Sequence, residues 1–307
     1  MPEQPEVEVV RRGLETWVRG RSFETVEVLD PRSVRRHLDG AEDFVVSLQG
    51  CCVDAVVRRG KFLWMNLTGL ETPAALVAHL GMSGQLLIEE PEAPDEKHLK
   101  VRLSLSSRGE EPGELRFVDQ RIFGGMFLSP LVSTSDGGVG GQGSDLELIP
   151  AAASHIARDV LDPFRTTESL YAALRKRTTQ VKRAILDQTV IAGVGNIYAD
   201  EALWQAGFSG LRNTATIRRA EVERLDAALR DVMLRALDAG GTSFDSLYVN
   251  VNGASGYFDR SLNAYGREGR ECARCASNSR TSLIRRDAFM GRSSFTCPVC
   301  QPRPRRR

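Results

Sequence analysis

The chain has 307 residues, 41% apolar and 26% charged, which is ordinary for a globular protein and enough for two domains plus a small metal-stabilised module. No apolar run approaches the roughly 20 residues that span a bilayer, and a soluble intracellular protein is expected. The formal net charge of +1 hides a split, because Arg260–Arg307 carries 12 arginines against 3 acidic residues, a net of +9, and leaves about −8 on the rest.

The chain opens Met1-Pro2-Glu3-Gln4-Pro5-Glu6-Val7-Glu8. Initiator methionine is normally removed before a small residue, which would leave Pro2 as a free secondary amine beside the carboxylate of Glu3. An α-amino group titrates near ~7.7–8.0 and is partly neutral at physiological pH. Such an amine can attack a carbonyl-like carbon and form an iminium that acts as an electron sink. The alternative is structural: prolines and acids suit the first turn of a helix. That helix is expected from about Pro5 to Arg19, with Val7, Val10, Leu14 and Trp17/Val18 on one face.

Strand-like segments follow at Phe44–Leu48, Cys52–Val57, Lys61–Leu67, Ala74–Leu80, Gln85–Ile88, Leu99–Leu105 and Glu114–Val118. Turn residues separate them and no helical crossover intervenes, which predicts an antiparallel β-sandwich and disfavours a Rossmann arrangement. Cys51 and Cys52 sit in an apolar stretch and read as packing residues. Ser133–Asp145 is glycine-rich and reads as a flexible insertion or linker, without the strand–turn–helix context of a nucleotide site.

From about Ile149 the pattern becomes helical, with helices expected at Thr167–Lys176, Thr178–Gln188, Asn196–Ala206 and Arg218–Ala239. Gly193 and Gly195 precede the third. They would either let backbone N–H groups receive an anion at a helix N-terminus or simply make a tight turn. The glycine-rich stretch Gly240–Phe258 reads as a lid over a ligand or a surface connector. Cys272-Ala273-Arg274-Cys275 and Cys297-Pro298-Val299-Cys300, 21 residues apart, can present four thiolates tetrahedrally to one structural zinc. Two disulfides are the alternative, disfavoured because no secretory signal precedes the chain. The basic stretch between the pairs suggests a phosphate-binding surface, whereas Pro302–Arg307 reads as a solvated tail.

Together these features resemble the formamidopyrimidine-DNA glycosylase/endonuclease VIII family of base-excision repair enzymes. The likeness runs through PEQPEVE, RRGKFLW, HLGMSGQ, DQRIFGG, GVGNIYADEAL, GGTSFDSLYVN, YGREG and the ribbon CARC…GRSSFTCPVC. The first and third look more like the formamidopyrimidine branch. The resemblance implies an α+β multidomain fold: an N-terminal helix plus antiparallel β-sandwich (2–132), a glycine-rich linker or insertion (133–148), a helical domain with helix–two-turns–helix (149–264), a zinc finger (265–303) and a basic tail (304–307). It implies a bifunctional glycosylase and AP lyase that excises 8-oxoguanine and formamidopyrimidines from damaged double-stranded DNA and nicks by β,δ-elimination. The enzyme would be a bacterial-type, cytoplasmic, nucleoid-associated monomer with no membrane contact and one structural Zn2+.

By the same resemblance Pro2 attacks the sugar C1′, and Glu3 opens the deoxyribose ring and assists iminium formation. Glu6 supports the site, Lys61 donates a proton and contacts phosphate, and Arg292 grips phosphate and assists elimination. Met82, Arg121 and Phe123 fill the gap left by the extruded nucleotide, and His98, Arg177, Lys182 and Asn196 contact phosphates. Without the resemblance, Lys61 would read as an edge-strand lysine, Arg292 as one ribbon arginine among many, and Met82 and Phe123 as core. Three features depart from the family pattern: Gln4 in place of an apolar residue, the longer gap between cysteine pairs with extra residues around Ala276–Thr281, and the glycine content of Ser133–Asp145. Two rivals remain: an endonuclease VIII-like preference for oxidised pyrimidines, and a catalytically silent DNA-binding paralogue.

Overall fold

Helix α1 spans Gln4–Val18, with Pro5 in its first turn and Glu3 as N-cap. Val7, Leu14 and Val18 are fully buried and Val10 nearly so, the apolar stripe that the spacing predicts. The computed structural model describes residues 2–241, 251 and 261–304. They fall into two compact units, Met1–His155 with Ala239–Tyr257, and Ile156–Asp238 with Phe258–Arg307.

The first unit continues with β1 (Phe23–Val28), α2 (Gly40–Leu48), β2 (Cys52–Arg59), β3 (Phe62–Thr68), β4 (Ala74–His79), β5 (Gly84–Glu89), β6 (Leu99–Leu105), β7 (Glu114–Asp119), β8 (Gly125–Ser133) and β9 (Leu148–Pro150). A four-stranded sheet runs β1-β6-β7-β5 and a five-stranded sheet β2-β3-β4-β8-β9, every pair antiparallel. Side chains from both sheets and from α1 join in one core that includes Leu14, Phe23, Leu63, Leu76, Val101 and Phe117. Cys51 is buried in that core.

One expected strand of this unit is a helix, and β1, β8 and β9 are not among the expected strands. Phe44–Leu48 is the end of α2 and not a strand. Phe44 and Leu48 are buried one helical turn apart, and the five-residue stretch Phe-Val-Val-Ser-Leu is too short for its period to separate helix from strand. Strand β1 escaped the sequence pattern because a register shift between Phe23 and Thr25 breaks its alternation.

Ser133–Asp145 is not a free tether. Arg58 and Gln142 exchange backbone hydrogen bonds of 3.0 and 2.9 Å along edge strand β2. A Cβ on Gly140 would lie 1.8 Å from the Leu148 carbonyl oxygen, and one on Gly143 (φ +101°) 2.3 Å from that of Val56. Glycine is needed there for close backbone approach, and the segment covers an edge that would otherwise be open.

The second unit holds α3 (Thr167–Arg175), α4 (Val181–Ile185), α5 (Asn196–Ala206), α6 (Arg219–Asp238), α7 (Ala273–Ser277), β10 (Arg285–Phe289) and β11 (Arg292–Thr296). Helix α4 is shorter than the expected Thr178–Gln188. The Gln188 amide donates to the Leu186 and Val194 carbonyls and accepts from Gly193 N–H, building a turn instead. Strands β10 and β11 form a hairpin through Met290 and Gly291, at φ +50° and +73°, the conformation of a tight two-residue turn. The stretch Ala276–Thr281 begins within the last residues of α7 and lies outside this hairpin. Among the described residues no helix is long and apolar enough to cross a membrane.

Candidate active site

Glu3 and Glu6 form a reciprocal cap at the start of α1. The Glu3 side chain accepts from Glu6 N–H, while Glu6 Oε2 accepts from Glu3 N–H at 2.9 Å. Both carboxylates are buried, at 5% and 7% exposure, and Pro2 is buried beside them. Gly241 (φ +87°) passes so close that a Cβ there would sit 3.2 Å from Glu6 Cγ. Gln4 is fully buried, so its departure from the family pattern falls inside the packing of this terminus.

A buried charge network anchors this end of α1. Glu8 accepts from Arg58 Nε at 2.8 Å and from Arg11 Nε at 3.1 Å, all three buried. Arg58 lies on β2 just before Gly60-Lys61, the turn into β3, so the pair ties α1 to the hairpin that carries Lys61. Lys61 itself is half-buried.

Met82 and Phe123 are exposed, at 39% and 52%, and Arg121 is exposed as well. These three expected wedge residues lie on adjoining turns, β4–β5 and β7–β8. A Cβ on Gly81 (φ +59°) would meet Gly124 N at 2.5 Å and Phe123 C at 2.7 Å. His98 is half-buried, and its carbonyl accepts from Asp119 N–H at 3.0 Å.

In the second unit, Arg177, Arg183, Asp187, Met290 and Arg292 line one open cleft. Arg292 is exposed at the start of β11. Arg177 is partly engaged, with Nη1 3.4 Å from Asp187 and Nη2 donating to Thr189 at 2.8 Å. Asn196 donates to the Ser293 carbonyl at 2.8 Å, tying the first residue of α5 to the neighbour of Arg292. Gly193 sits at φ +92° with its N–H taken by Gln188, the tight-turn alternative.

Lys182 departs from expectation. Its ammonium is 1% exposed and 2.6 Å from Asp200, so it is not placed to meet a phosphate. Asp200 also accepts from Ser294 Oγ at 3.2 Å and Phe295 N–H at 2.9 Å. Burial pushes the Asp200 carboxyl up, against the pull of Lys182 and the donors. The pair therefore joins α4 and α5 to β11. A buried ion pair is paired across elements, and sequence spacing does not reveal the partner.

Cys272, Cys275, Cys297 and Cys300 converge, with all four sulfurs within 4.8 Å of one another. Cys272–Cys300 and Cys275–Cys297 are each 3.6 Å apart. That is far beyond a disulfide's ~2.05 Å and close to the roughly 3.7 Å between thiolates on a tetrahedral ion at ~2.3 Å. Trp204 Nε1 lies 3.3 Å from Cys272 Sγ, and Ser282 Oγ 3.3 Å from Cys297 Sγ, the outer-shell donors that thiolate ligands use. The four cysteines can hold a metal ion.

Sequence reasoning did not find Glu8, Arg58, Asp119, Asp200 or Arg183. Asp119 left one usable signal, an Asp directly before a turn (Asp119-Gln120-Arg121), a favoured side-chain-to-backbone pattern. Most of Gly240–Phe258 lies outside the described residues. Of its interior, Val251 is described: it is buried in the first unit's core, and its carbonyl accepts from Ile88 N–H at 3.0 Å.

Residues 1–126 match the family model of the formamidopyrimidine-DNA glycosylase N-terminal domain, and residues 156–247 that of the formamidopyrimidine-DNA glycosylase H2TH domain. The chain is 55% identical over 312 residues to the formamidopyrimidine-DNA glycosylase of Kineococcus radiotolerans, covering 99% of each chain. It is 55% identical over 309 residues to that of Thermobifida fusca, again covering 99% of each. Among solved structures it is similar to Lactococcus lactis Fpg in complex with DNA containing an abasic site, at TM-score 0.79 and 28% identity over 98% of this chain and 100% of that one. It is also similar to MutM in complex with DNA containing carbocyclic 8-oxo-G, at TM-score 0.78 and 28% identity with the same coverage.

Proposed function

The chain belongs to the formamidopyrimidine-DNA glycosylase family, and from that membership and its own site we propose that it excises oxidised purines from duplex DNA and then cleaves the strand as an AP lyase. It is a DNA-repair enzyme. The observation that carries the residue assignment is the N-terminal cap, where a secondary amine, once Met1 is removed, sits beside a buried carboxylate held by a second one. Pro2 attacks C1′ and the damaged base leaves. The proton released by the attacking amine passes to Glu3, which delivers it to the ring oxygen as the deoxyribose opens. The nitrogen lone pair then forms the iminium, which takes up the electron pair of the C2′–H bond as the 3′-phosphate leaves. Glu6 acts through Glu3 by fixing its backbone. Lys61 supplies a proton and a phosphate contact from the β2–β3 hairpin.

Base release requires the nucleotide to leave the stack. Met82 and Phe123 take up the vacated space, and Arg121 pairs with the orphaned base. His98, Arg177, Asn196 and Arg292 hold phosphates; Lys182 acts instead as a positioning residue through Asp200. The four cysteines hold one zinc, which folds the ribbon and leaves the chemistry to the side chains. We place the protein as a monomer acting on damaged double-stranded DNA in a bacterial cytoplasm.

Borohydride trapping tests this reading. Purified protein is reacted with one duplex carrying a single 8-oxoguanine and one carrying an oxidised pyrimidine. A covalent adduct that forms faster on the first supports it. Preference for the second would favour the endonuclease VIII-like reading, and absence of adduct on either the silent paralogue.

A further inference from the structure

The two turns that present Met82, Arg121 and Phe123 share one buried carboxylate. Asp119 is fully buried at the end of β7. Its Oδ1 accepts from the Ser83 hydroxyl at 2.5 Å and from Arg121 N–H at 3.1 Å, and its Oδ2 accepts from Gly124 N–H at 2.8 Å. The Ser83 oxygen in turn lies 3.1 Å from Arg121 N. One side chain thus closes the Arg121–Phe123 turn at both ends and reaches the residue after Met82. Between those ends Ile122 sits at φ +54°, a conformation that a β-branched side chain rarely adopts without outside support. The two turns also approach so closely that a Cβ on Gly81 would meet Gly124 N at 2.5 Å and Phe123 C at 2.7 Å.

We propose that Asp119 is a positioning residue for nucleotide extrusion, locking the turns that carry Met82, Arg121 and Phe123 into one rigid element. The inference rests on the extrusion role assigned to those three residues. A carboxylate is required because it only accepts, and it faces three donors. An asparagine would either turn its N–H toward Gly124 N–H and leave that buried donor unpaired, or turn it toward Ser83 and Arg121 and lose both charge-assisted bonds to Oδ1. The wedge would then sag by rotation of its turn, while the Pro2-Glu3 terminus keeps its own cap.

The test is a single-turnover cycle on the full-length protein with its metal. Base excision from an 8-oxoguanine duplex and cleavage of a preformed abasic duplex are measured for Asp119→Asn, Phe123→Ala and the double variant. Asp119→Asn should lower excision relative to abasic-site cleavage by roughly tenfold or more, the scale of one lost charge-assisted hydrogen bond. In the Phe123→Ala background it should add less than about threefold, because both changes act through the same wedge. Equal loss on both substrates, or additive losses in the cycle, would overturn the proposal. Should Asp119→Asn fail to fold, Ser83→Ala decides: it cuts the link to the Met82 turn and leaves the carboxylate in place. It should shift the same ratio in the same direction, and an unchanged ratio overturns the inference. A wild-type ratio in Phe123→Ala alone would sink the extrusion role itself and this inference with it. A normal ratio in Asp119→Asn beside a defective Phe123→Ala would sink only the inference.

Discussion

Among single residues, the proposed nucleophile Pro2 is where activity is expected to be most sensitive. Pro2→Gly leaves a primary amine and should retain part of the activity. An N-terminal extension verified to remain attached should abolish base release and strand cleavage together. A reducible DNA adduct formed by the extended protein would place the nucleophile elsewhere. Arg292 is expected to act through phosphate. Arg292→Ala should make the logarithmic salt slope of DNA binding shallower by roughly 0.9, with zinc content and unfolding midpoint unchanged. Lysine there should rescue only in part, because it lacks the planar fork. An unchanged slope with lost activity would make Arg292 a catalyst acting through its fixed positive charge and not a clamp. Glu8 differs from both, since the carboxylate faces two buried arginines. Glu8→Ala should cost about 3–5 kcal/mol of stability, which denaturant unfolding would show.

At the scale of elements, the adjoining β4–β5 and β7–β8 turns behave as one projection. Truncating Met82, Arg121 or Phe123 should slow excision from intact duplex far more than processing of a preformed abasic site, because unstacking costs a few kcal/mol only in the first. Equal losses would point to general damage. The β4–β5 turn also carries a titratable cap, since His79 Nδ1 accepts from Gly81 N–H at 3.1 Å and only a neutral ring can do so. Burial, helped by Arg36, holds this imidazole down at about 4, against an ordinary 6.5. A depressed folded-state value means that the stabilisation is complete above pH 6.5 and is lost as pH falls toward about 4. The loss amounts to at most about 3 kcal/mol. His79→Asn keeps an acceptor without the titration, and its unfolding free energy should fall less steeply over that interval than wild type's. Parallel pH profiles would remove His79 from the cap.

Across the whole molecule, Pro2, Lys61 and the proposed wedge residues belong to the first unit, and the arginine-lined cleft and the four-cysteine cluster to the second. Replacing any one of Cys272, Cys275, Cys297 or Cys300 should release zinc and weaken DNA binding, while near-ultraviolet circular dichroism of the first unit's tryptophans, Trp17 and Trp64, persists. Freshly purified protein without stoichiometric zinc would refute that centre. Helix α1, most strands, the long α6 and the four-cysteine cluster are legible in the chain alone, because each rests on a local period or a fixed spacing. Motif resemblance is also what singles out Pro2, Glu3, Lys61, Arg292 and the wedge residues as the proposed site. Only the tertiary structure decided that Met82 and Phe123 are exposed and that the glycine-rich Ser133–Asp145 lies along β2. It likewise withdrew Lys182 from the surface and gathered two turns around Asp119. The reason is physical: a period records which face of an element is apolar, whereas the partner of a buried charge comes from another element. Asp119 reaches Ser83 across 36 positions, and no local pattern encodes that distance.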